Sequence, residues 1–225
     1  MNIKAIIPAG GSSSRYKNGN KLLENLDGKT VIIHTIETLL SCEKIDEIII
    51  SASTQLIPEL KKILNDQYSK IKIVQGGKTR QESVFNALKQ CNNCNIVVIH
   101  DAARPLIQKD TINKCINTAI EKKAAIVAVR AIDTIKIVNS DNKIIETPNR
   151  ETLWNVQTPQ IFDFNLIFSA HEKLKEKNFS DDAGMLEFLG IDVYVVEGEY
   201  SNFKITTEKD LIQAELWLKS QNTSI

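Results

Sequence analysis

The chain has 225 residues, of which 42% are hydrophobic and 25% are charged, and its formal net charge at pH 7 is zero. This composition is typical of a globular protein, and the length fits a single α/β domain spanning residues 1–225. A zero net charge excludes the broad positive field that attracts nucleic acids or anionic membranes, so any anion site must be built locally.

The apolar run that starts at Ile3 is too short for a secretory signal or a membrane span, and no Arg/Ser-rich transit segment precedes it. We therefore expect a cytoplasmic protein. Cys91 and Cys94 form a CxxC pair, but no second ligand pair for zinc is visible, and the pair follows a helical pattern rather than opening one. These two and the remaining thiols, Cys42 and Cys115, are expected to be reduced.

Six short apolar runs predict strands buried on both faces. They are Ile3–Pro8, Glu47–Ala52, Ile71–Val74, Ile96–His100, Ala124–Val129 and Val193–Val196. Stretches with apolar residues at three-to-four spacing predict helices. These are Thr30–Ser41, Gln55–Asp66, Thr79–Cys91, Asp110–Lys123, Phe164–Lys177, Asp181–Leu189 and Glu208–Lys219. The alternation predicts an α/β fold with a mostly parallel sheet and helices on both faces.

The loop after the first strand reads Pro-Ala-Gly-Gly-Ser-Ser-Ser-Arg over residues 8–15. Ligands of parallel α/β sheets bind beyond the carboxyl ends of the strands. The two glycines let the backbone approach a phosphate, and Arg15 and Lys21 add fixed positive charge, so this loop is a candidate triphosphate site. The alternative is a Gly/Ser turn with solvated charges.

Two better-known nucleotide motifs are excluded. A Walker A loop needs Gly-Lys-Ser/Thr after a four-residue gap, and a dinucleotide fingerprint needs Gly-x-Gly-x-x-Gly with an acidic residue ending the second strand. The second strand here ends in Ser51-Ala52-Ser53, so an NAD-dependent oxidoreductase is not indicated.

The fourth strand ends in His100-Asp101-Ala102-Ala103-Arg104-Pro105. Asp101 stands where a Mg²⁺ ligand beside a nucleotide belongs, since Mg²⁺ takes one or two carboxylates plus phosphate oxygens. Arg104 can direct its planar fork at a phosphate. Alternatively, Asp101 caps the following turn with Arg104 paired to it, and His100 is as well explained by packing as by ligation.

Thr134–Val138 and Lys143–Thr147 flank a polar turn and predict a β-hairpin, which we treat as an arm spanning residues 133–150. A hairpin inserted into such a domain is expected to protrude and to pack on another surface, such as a second subunit. Among these possibilities, our prediction is a homodimer formed through the arm.

Motifs in order along the chain resemble the 2-C-methyl-D-erythritol 4-phosphate cytidylyltransferase family. They are Pro8-Ala9-Gly10-Gly11-x-x-x-Arg15, Lys21, Gly76-Gly77-x-x-Arg80-x-x-Ser83, His100 to Pro105, Asp133-Thr134, Arg150, Thr158-Pro159-Gln160, Asp181-Asp182-Ala183 and Lys204-Ile205-Thr206. The resemblance covers residues from near 3 to beyond 210. It implies a Rossmann-like fold of the nucleotide-diphospho-sugar transferase type.

The resemblance implies transfer of CMP from CTP to 2-C-methyl-D-erythritol 4-phosphate in non-mevalonate isoprenoid biosynthesis. It implies three catalytic cations, Arg15, Lys21 and Lys204. CTP would be bound by Pro8, Ala9, Gly10, Gly11, Ser12, Gly77, Arg80, Ser83, Asp101 and Ala102. The acceptor would be bound by Asp101, Arg104, Thr134, Arg150, Thr158 and Lys204, with Thr134 and Arg150 reaching it from the neighbouring subunit. Asp101 would assist Mg²⁺ binding.

Some positions depart from the family pattern, including Gly10, where a second alanine is usual, Ser13, Ser14 and Lys78. Three matched groups also have plainer interpretations. Gly76-Gly77 could be a turn, Thr158-Pro159-Gln160 a rigid loop, and Asp181-Asp182 the favourable negative charge at a helix N-terminus, which is the interpretation we prefer.

Two alternatives to the whole assignment stay open from the sequence. One is a ribitol-5-phosphate cytidylyltransferase, whose central motif tends to read His-Asp-Ser-Val-Arg rather than the His-Asp-Ala-Ala-Arg of residues 100–104. The other is a catalytically silent nucleotide-binding module. The joint presence of Arg15, Lys21, Asp101 and Lys204 argues against the second.

Overall fold

A computed structural model of the chain describes residues 1–10, 16, 19–64 and 68–222. The strands in chain order are β1 (Ile3–Ala9), β2 (Asn25–Leu26), β3 (Lys29–Thr30), β4 (Glu47–Ala52), β5 (Ile71–Gln75), β6 (Ile96–Ile99), β7 (Ala124–Arg130), β8 (Ile137–Val138), β9 (Ile144–Glu146), β10 (Trp154–Asp163) and β11 (Tyr194–Glu197). The helices are α1 (Val31–Leu40), α2 (Leu56–Leu64), α3 (Arg80–Leu88), α4 (Lys109–Lys122), α5 (Phe164–Lys173), α6 (Ala183–Phe188) and α7 (Glu208–Asn222). A 3₁₀ turn covers Arg150–Thr152.

The central sheet has seven strands in the order β11-β7-β10-β6-β1-β4-β5. All neighbours are parallel except β10, which runs antiparallel to both β6 and β7. The predicted mostly parallel α/β sheet is therefore confirmed. The carboxyl ends of β1, β4, β5 and β6 lie along one edge, where the motif loops follow.

Alternate residues of the strands face opposite helical layers. In β1, Ile3, Ala5 and Ile7 point into a core cluster with α1, α2 and α4, whereas Ile6 points into a second cluster with α3, α5 and α6. This period of two on buried strands is what places helices on both faces. A third cluster joins α7 to the β2–β3 hairpin and includes the fully buried Ile205.

Strand β10 is the one strand of the central sheet that the sequence did not predict. Its ten residues include Pro159, which follows a cis peptide bond, and its register with β7 shifts between Val156 and Gln160. A proline and a bulge break the apolar pattern that marks a strand. Because β10 is antiparallel, its first half lies at the carboxyl ends of β6 and β7, beside the motif loops.

The predicted hairpin is confirmed as β8 and β9, which pair antiparallel around a turn with Asn142 at φ 60°. Both strands are shorter than predicted, and all of their residues are exposed. Within the residues described, no helix combines the length and the apolar character needed to cross a membrane.

Candidate active site

Asp101 lies at the centre of a charged cluster just beyond the end of β6. It is only 7% exposed. Its Oδ1 accepts from Arg80 Nε at 3.3 Å, and its Oδ2 lies 2.9 Å from Lys204 Nζ and 3.5 Å from Arg104 Nε. Three cations predicted from separate motifs therefore converge on a single carboxylate.

The cluster keeps Asp101 ionised. Burial by itself would raise the pKa of its carboxyl group, but Arg80, Lys204 and Arg104 together hold the pKa well below its ordinary value of 3.8. Arg104 pairs with Asp101, as the alternative interpretation expected, and it also donates from Nη1 to the carbonyl oxygen of Asn202 at 2.7 Å. The turn and the charged site are thus one structure.

Lys21 lies against the same segment that carries Lys204. Its Nζ donates to the carbonyl oxygen of Ile205 at 2.7 Å, and the Ile205 N–H donates to the Ala103 carbonyl oxygen at 2.9 Å. Since Ile205 is anchored in the third core cluster, both lysines are held next to the Asp101 loop. Arg15, with Gly11 and Ser12, lies outside the described residues.

The predicted nucleotide residues also meet. A Cβ built on Gly10 would come within 2.8 Å of Ser83 Oγ and 3.7 Å of the Gly77 carbonyl oxygen. Ser83 Oγ accepts from the Gly77 N–H at 3.0 Å and donates to the Thr79 carbonyl oxygen at 2.9 Å. An alanine at Gly10 would force the Ser83 hydroxyl to shift from this position.

Helix α3 carries Arg80 and Ser83. Thr79 caps the helix, because its side chain accepts from the Glu82 N–H, so the helix begins at Arg80. In the Gly76-Gly77 turn, the Gly77 N–H donates to Ser83 Oγ, so the turn is tied to helix α3. Ala102, also predicted, is buried and accepts at its carbonyl oxygen from Thr35 Oγ1 at 3.1 Å.

Thr158 lies behind Asp101 rather than in a loop. It belongs to β10 and is 4% exposed. Its Oγ1 accepts from the Asp101 N–H at 3.0 Å and lies 3.1 Å from His100 Nδ1. His100 Nε2 lies 3.1 Å from the Arg104 carbonyl oxygen, so Nε2 carries the ring proton and the Thr158 hydroxyl donates to Nδ1. His100 thus packs beneath the site, and the strand corrects the rigid-loop interpretation of residues 158–160.

The buried His100 predicts a pH-dependent stability. Burial lowers the pKa of His100 to about 4 from its ordinary value of 6.5. Between these values the unfolded chain binds a proton that the folded chain does not, so stability falls as the pH is lowered through this window, by roughly 3 kcal/mol in total. Urea unfolding of the metal-free protein at several pH values measures this, and His100→Gln should flatten the dependence. Equal pH slopes in both proteins would contradict it.

The Asp181-Asp182 pair divides into two roles. Asp181 Oδ1 accepts from the Gly184 N–H at 3.1 Å, which fits the expected charge at the start of α6. Asp182 makes no side-chain cap. Asp182 is the N-cap residue of α6, so its charge does lie at the helix start, but its buried carboxylate also accepts from Arg80 Nη1 at 2.7 Å and from His171 Nε2 at 3.2 Å.

Sequence reasoning also missed residues that support the site from behind. His171 is buried on α5, and Gln160 on β10 accepts at Oε1 from the Asp182 N–H at 3.0 Å. Asn202 donates to the Thr158 carbonyl oxygen at 2.9 Å. The only signal for Gln160 was its place in the Thr158-Pro159-Gln160 motif, and nothing marked His171 or Asn202.

Thr134 and Arg150 do not join the cluster within one chain. Both are exposed at the base of the hairpin, and Arg150 donates from Nη1 to the Ile132 carbonyl oxygen at 2.8 Å. A cavity of about 440 Å³ near Lys123 and Asp163 lies at the opposite end of the sheet and is lined by none of the predicted site residues.

The comparisons with known proteins all match the same family. The family model described as IspD, 2-C-methyl-D-erythritol 4-phosphate cytidylyltransferase, matches residues 3–220. A protein of that name from Caldanaerobacter subterraneus is 42% identical over 97% of this chain and 100% of its own, and one from Prochlorococcus marinus is 44% identical over 95% and 98%. A solved 4-diphosphocytidyl-2C-methyl-D-erythritol synthase from Anaerococcus prevotii superposes with a TM-score of 0.88 at 37% identity, covering 97% of this chain and 98% of its own.

Proposed function

The chain belongs to the 2-C-methyl-D-erythritol 4-phosphate cytidylyltransferase family, and from this premise we propose which of its residues carry out the reaction. The enzyme transfers the cytidylyl group of CTP to 2-C-methyl-D-erythritol 4-phosphate, releases pyrophosphate and forms 4-diphosphocytidyl-2-C-methyl-D-erythritol. The observation that supports a catalytic site is the convergence of Arg80, Arg104 and Lys204 on Asp101 at the carboxyl edge of the sheet, with Lys21 bonded to the Ile205 carbonyl oxygen next to Lys204.

Charge neutralisation is the main task of such a site. The acceptor phosphate attacks the α-phosphorus of CTP in line, and both reactants are anions. A phosphate monoester dianion is already a nucleophile, so no protein nucleophile or general base is needed. We assign to Lys21, Lys204 and Arg15 the stabilisation of the charge that gathers on the α-phosphate oxygens, because cations fixed in place need no reorganisation during the reaction.

We propose that the CTP pocket is formed by the three loops that follow β1, β5 and β6. Gly10 follows β1 and lies so close to helix α3 that an added Cβ would come within 2.8 Å of Ser83 Oγ, so we propose that the loops after β1 and β5 line one pocket. We assign base and ribose binding to Gly77, Arg80 and Ser83. The triphosphate would follow residues 8–12, where glycines allow close approach of the backbone. Ala102, which is buried next to Asp101 in the sequence, would line the same pocket with a small side chain.

The site offers Mg²⁺ one carboxylate ligand, Asp101. Asp101 offers one ionised carboxylate, and the residues described contain no group of three or more His, Cys, Asp or Glu side chains that could hold a metal ion. One carboxylate is enough for Mg²⁺, because this ion commonly binds one or two carboxylates and fills its other coordination positions with phosphate oxygens and water. We therefore propose that Asp101 holds a Mg²⁺ ion that arrives with the triphosphate and neutralises part of its charge.

The arm is proposed to form a homodimer. Its apolar side chains are exposed, with Ile144 at 56% and Ile145 at 65%, and Ile137 and Val138 add to the same hairpin. Exposed apolar patches of this kind mark interaction surfaces. In a dimer, Thr134 and Arg150 at the arm's base would reach the partner's acceptor site, together with Asp101, Arg104 and Lys204 of that partner.

The proposed compartment is the cytoplasm. All four cysteines are unpaired and buried thiols, which is the state that a reducing compartment maintains.

Thr158 is proposed to act on the acceptor side indirectly. Its hydroxyl is buried and accepts from the Asp101 backbone N–H, so it would hold Asp101 in place rather than contact the acceptor.

Choice of acceptor is the direct test of the reaction. With CTP and Mg²⁺, we expect pyrophosphate release with 2-C-methyl-D-erythritol 4-phosphate and a kcat/KM with ribitol 5-phosphate that is lower by at least about a hundredfold, because a site that hydrogen-bonds its substrate leaves buried polar groups unpaired when a mismatched polyol binds. A coupled pyrophosphate assay with each acceptor measures the ratio. Equal or greater turnover of ribitol 5-phosphate would contradict the assignment.

A further inference from the structure

We propose that His171 is a positioning residue for the CTP site, which acts by holding the Asp182 carboxylate against Arg80. His171 lies on α5, outside every motif that carries the family resemblance. The inference rests on the proposed role of Arg80 in CTP binding.

His171 is fixed on two sides. It is 1% exposed, and its ring stacks on Phe85 of α3, with ring centroids 5.7 Å apart and an interplanar angle of 10°. Its Nε2 lies 3.2 Å from Asp182 Oδ1. Because an ionised carboxylate can only accept, His171 Nε2 must carry the proton. A histidine held this firmly presents one directed N–H donor to Asp182.

Asp182 in turn holds Arg80 in position. Its Oδ2 accepts from Arg80 Nη1 at 2.7 Å, and its backbone N–H is held by Gln160 Oε1. Burial by itself would raise the pKa of Asp182, but Arg80 and His171 lower it below its ordinary value, so the carboxylate is ionised. With His171 on one oxygen, the other oxygen keeps a fixed direction towards Arg80.

Arg80 connects His171 and Asp182 to the proposed CTP site. Its Nη1 is held by Asp182 and its Nε by Asp101, and its side chain is 29% exposed, whereas Asp182 is 1% exposed. Without the His171 donor, Asp182 Oδ1 would be a buried acceptor lacking that partner, and the carboxylate would turn to recover a bond. Arg80 would follow it, and the fixed position of its exposed edge would be lost.

The expected result is a change in CTP binding more than in chemistry. His171→Leu, which has no donor, should raise KM for CTP about tenfold and change kcat less than threefold. His171→Gln, whose side-chain amide can donate to Asp182, should restore KM to within about threefold of wild type. Steady-state kinetics with saturating 2-C-methyl-D-erythritol 4-phosphate gives both constants.

A matched control separates this role from packing. Ile167 lies one turn earlier on α5 and is fully buried in the second core cluster, against which Phe85 packs. Ile167→Val should lower the melting temperature slightly and leave KM for CTP unchanged. Asp182→Asn, which leaves His171 in place, should reproduce the KM increase and serves as the second route if His171→Leu does not fold.

Coupling to Arg80 decides the inference. In an Arg80→Ala background, His171→Leu should add no further increase in KM, because the group through which it acts is gone. An unchanged KM in folded His171→Leu, a failure of His171→Gln to rescue, or additive effects with Arg80→Ala would overturn the inference. If wild type itself released no pyrophosphate from CTP and the acceptor, the proposed function would fail instead.

Discussion

Replacing Lys21 by alanine is expected to lower kcat by about 10²–10³ and to leave the fold intact. The Lys21 Nζ is held at the Ile205 carbonyl oxygen, next to Lys204 and the Asp101 loop. A cation held there stabilises the charge of the reacting phosphate more in the transition state than in the ground state. Steady-state kinetics gives kcat, and circular dichroism with thermal unfolding verifies the fold.

Lys29→Ala is the matched control for Lys21→Ala. Lys29 is a nearby lysine whose Nζ pairs with Glu37 at 2.6 Å on an exposed surface. Exposed ion pairs contribute little, so this variant should keep wild-type kcat and nearly wild-type stability. A Lys21→Ala enzyme with wild-type kcat would show that the catalytic assignment of Lys21 is mistaken.

Mixing inactive Arg15→Ala and Arg150→Ala subunits is expected to restore about a quarter of wild-type activity. In a twofold-symmetric dimer each site would combine Arg15 of one chain with Arg150 of the other. A mixed dimer then has one site with both arginines and one with neither. Random exchange makes about half of the dimers mixed, which gives the expected fraction of active sites.

The exchange must be verified before the result is interpreted. Differently tagged subunits, separated by two affinity steps, isolate the mixed dimer, which should have about half of the wild-type activity. Mixing each variant with further copies of itself is the control and should give no recovery. Verified mixed dimers without activity would mean that Arg150 does not act on the partner's site.

Regular elements were predicted well because they depend on local patterns. Each of the six predicted strands and seven predicted helices was found near its expected place. Strand β10 was missed, since Pro159 and the register shift between Val156 and Gln160 remove the pattern of a buried strand. Its place between β6 and β7 is decided by long-range pairing, to which the local sequence does not point.

The sequence predicted which charged motif residues lie together, and their catalytic and binding roles stay predictions. Asp101, Arg104, Lys204 and Lys21 were expected together, and the structure brings them together. Arg15 remains a prediction because it lies outside the described residues. The hydrogen-bonded support of the site was not predicted, because His171 and Asn202 belong to no motif.

The sequence by itself determined the alternation of strands and helices, the loops that follow β1, β5 and β6, and the residue types that a reaction between two phosphates requires. These are properties of short segments, set by hydrophobic period, glycine and charge. Only the tertiary structure decided that β10 places Thr158 behind Asp101 and that Asp182 turns to Arg80 and His171. Those contacts join residues between 11 and 102 positions apart, and buried polar groups find such partners only when the whole chain packs.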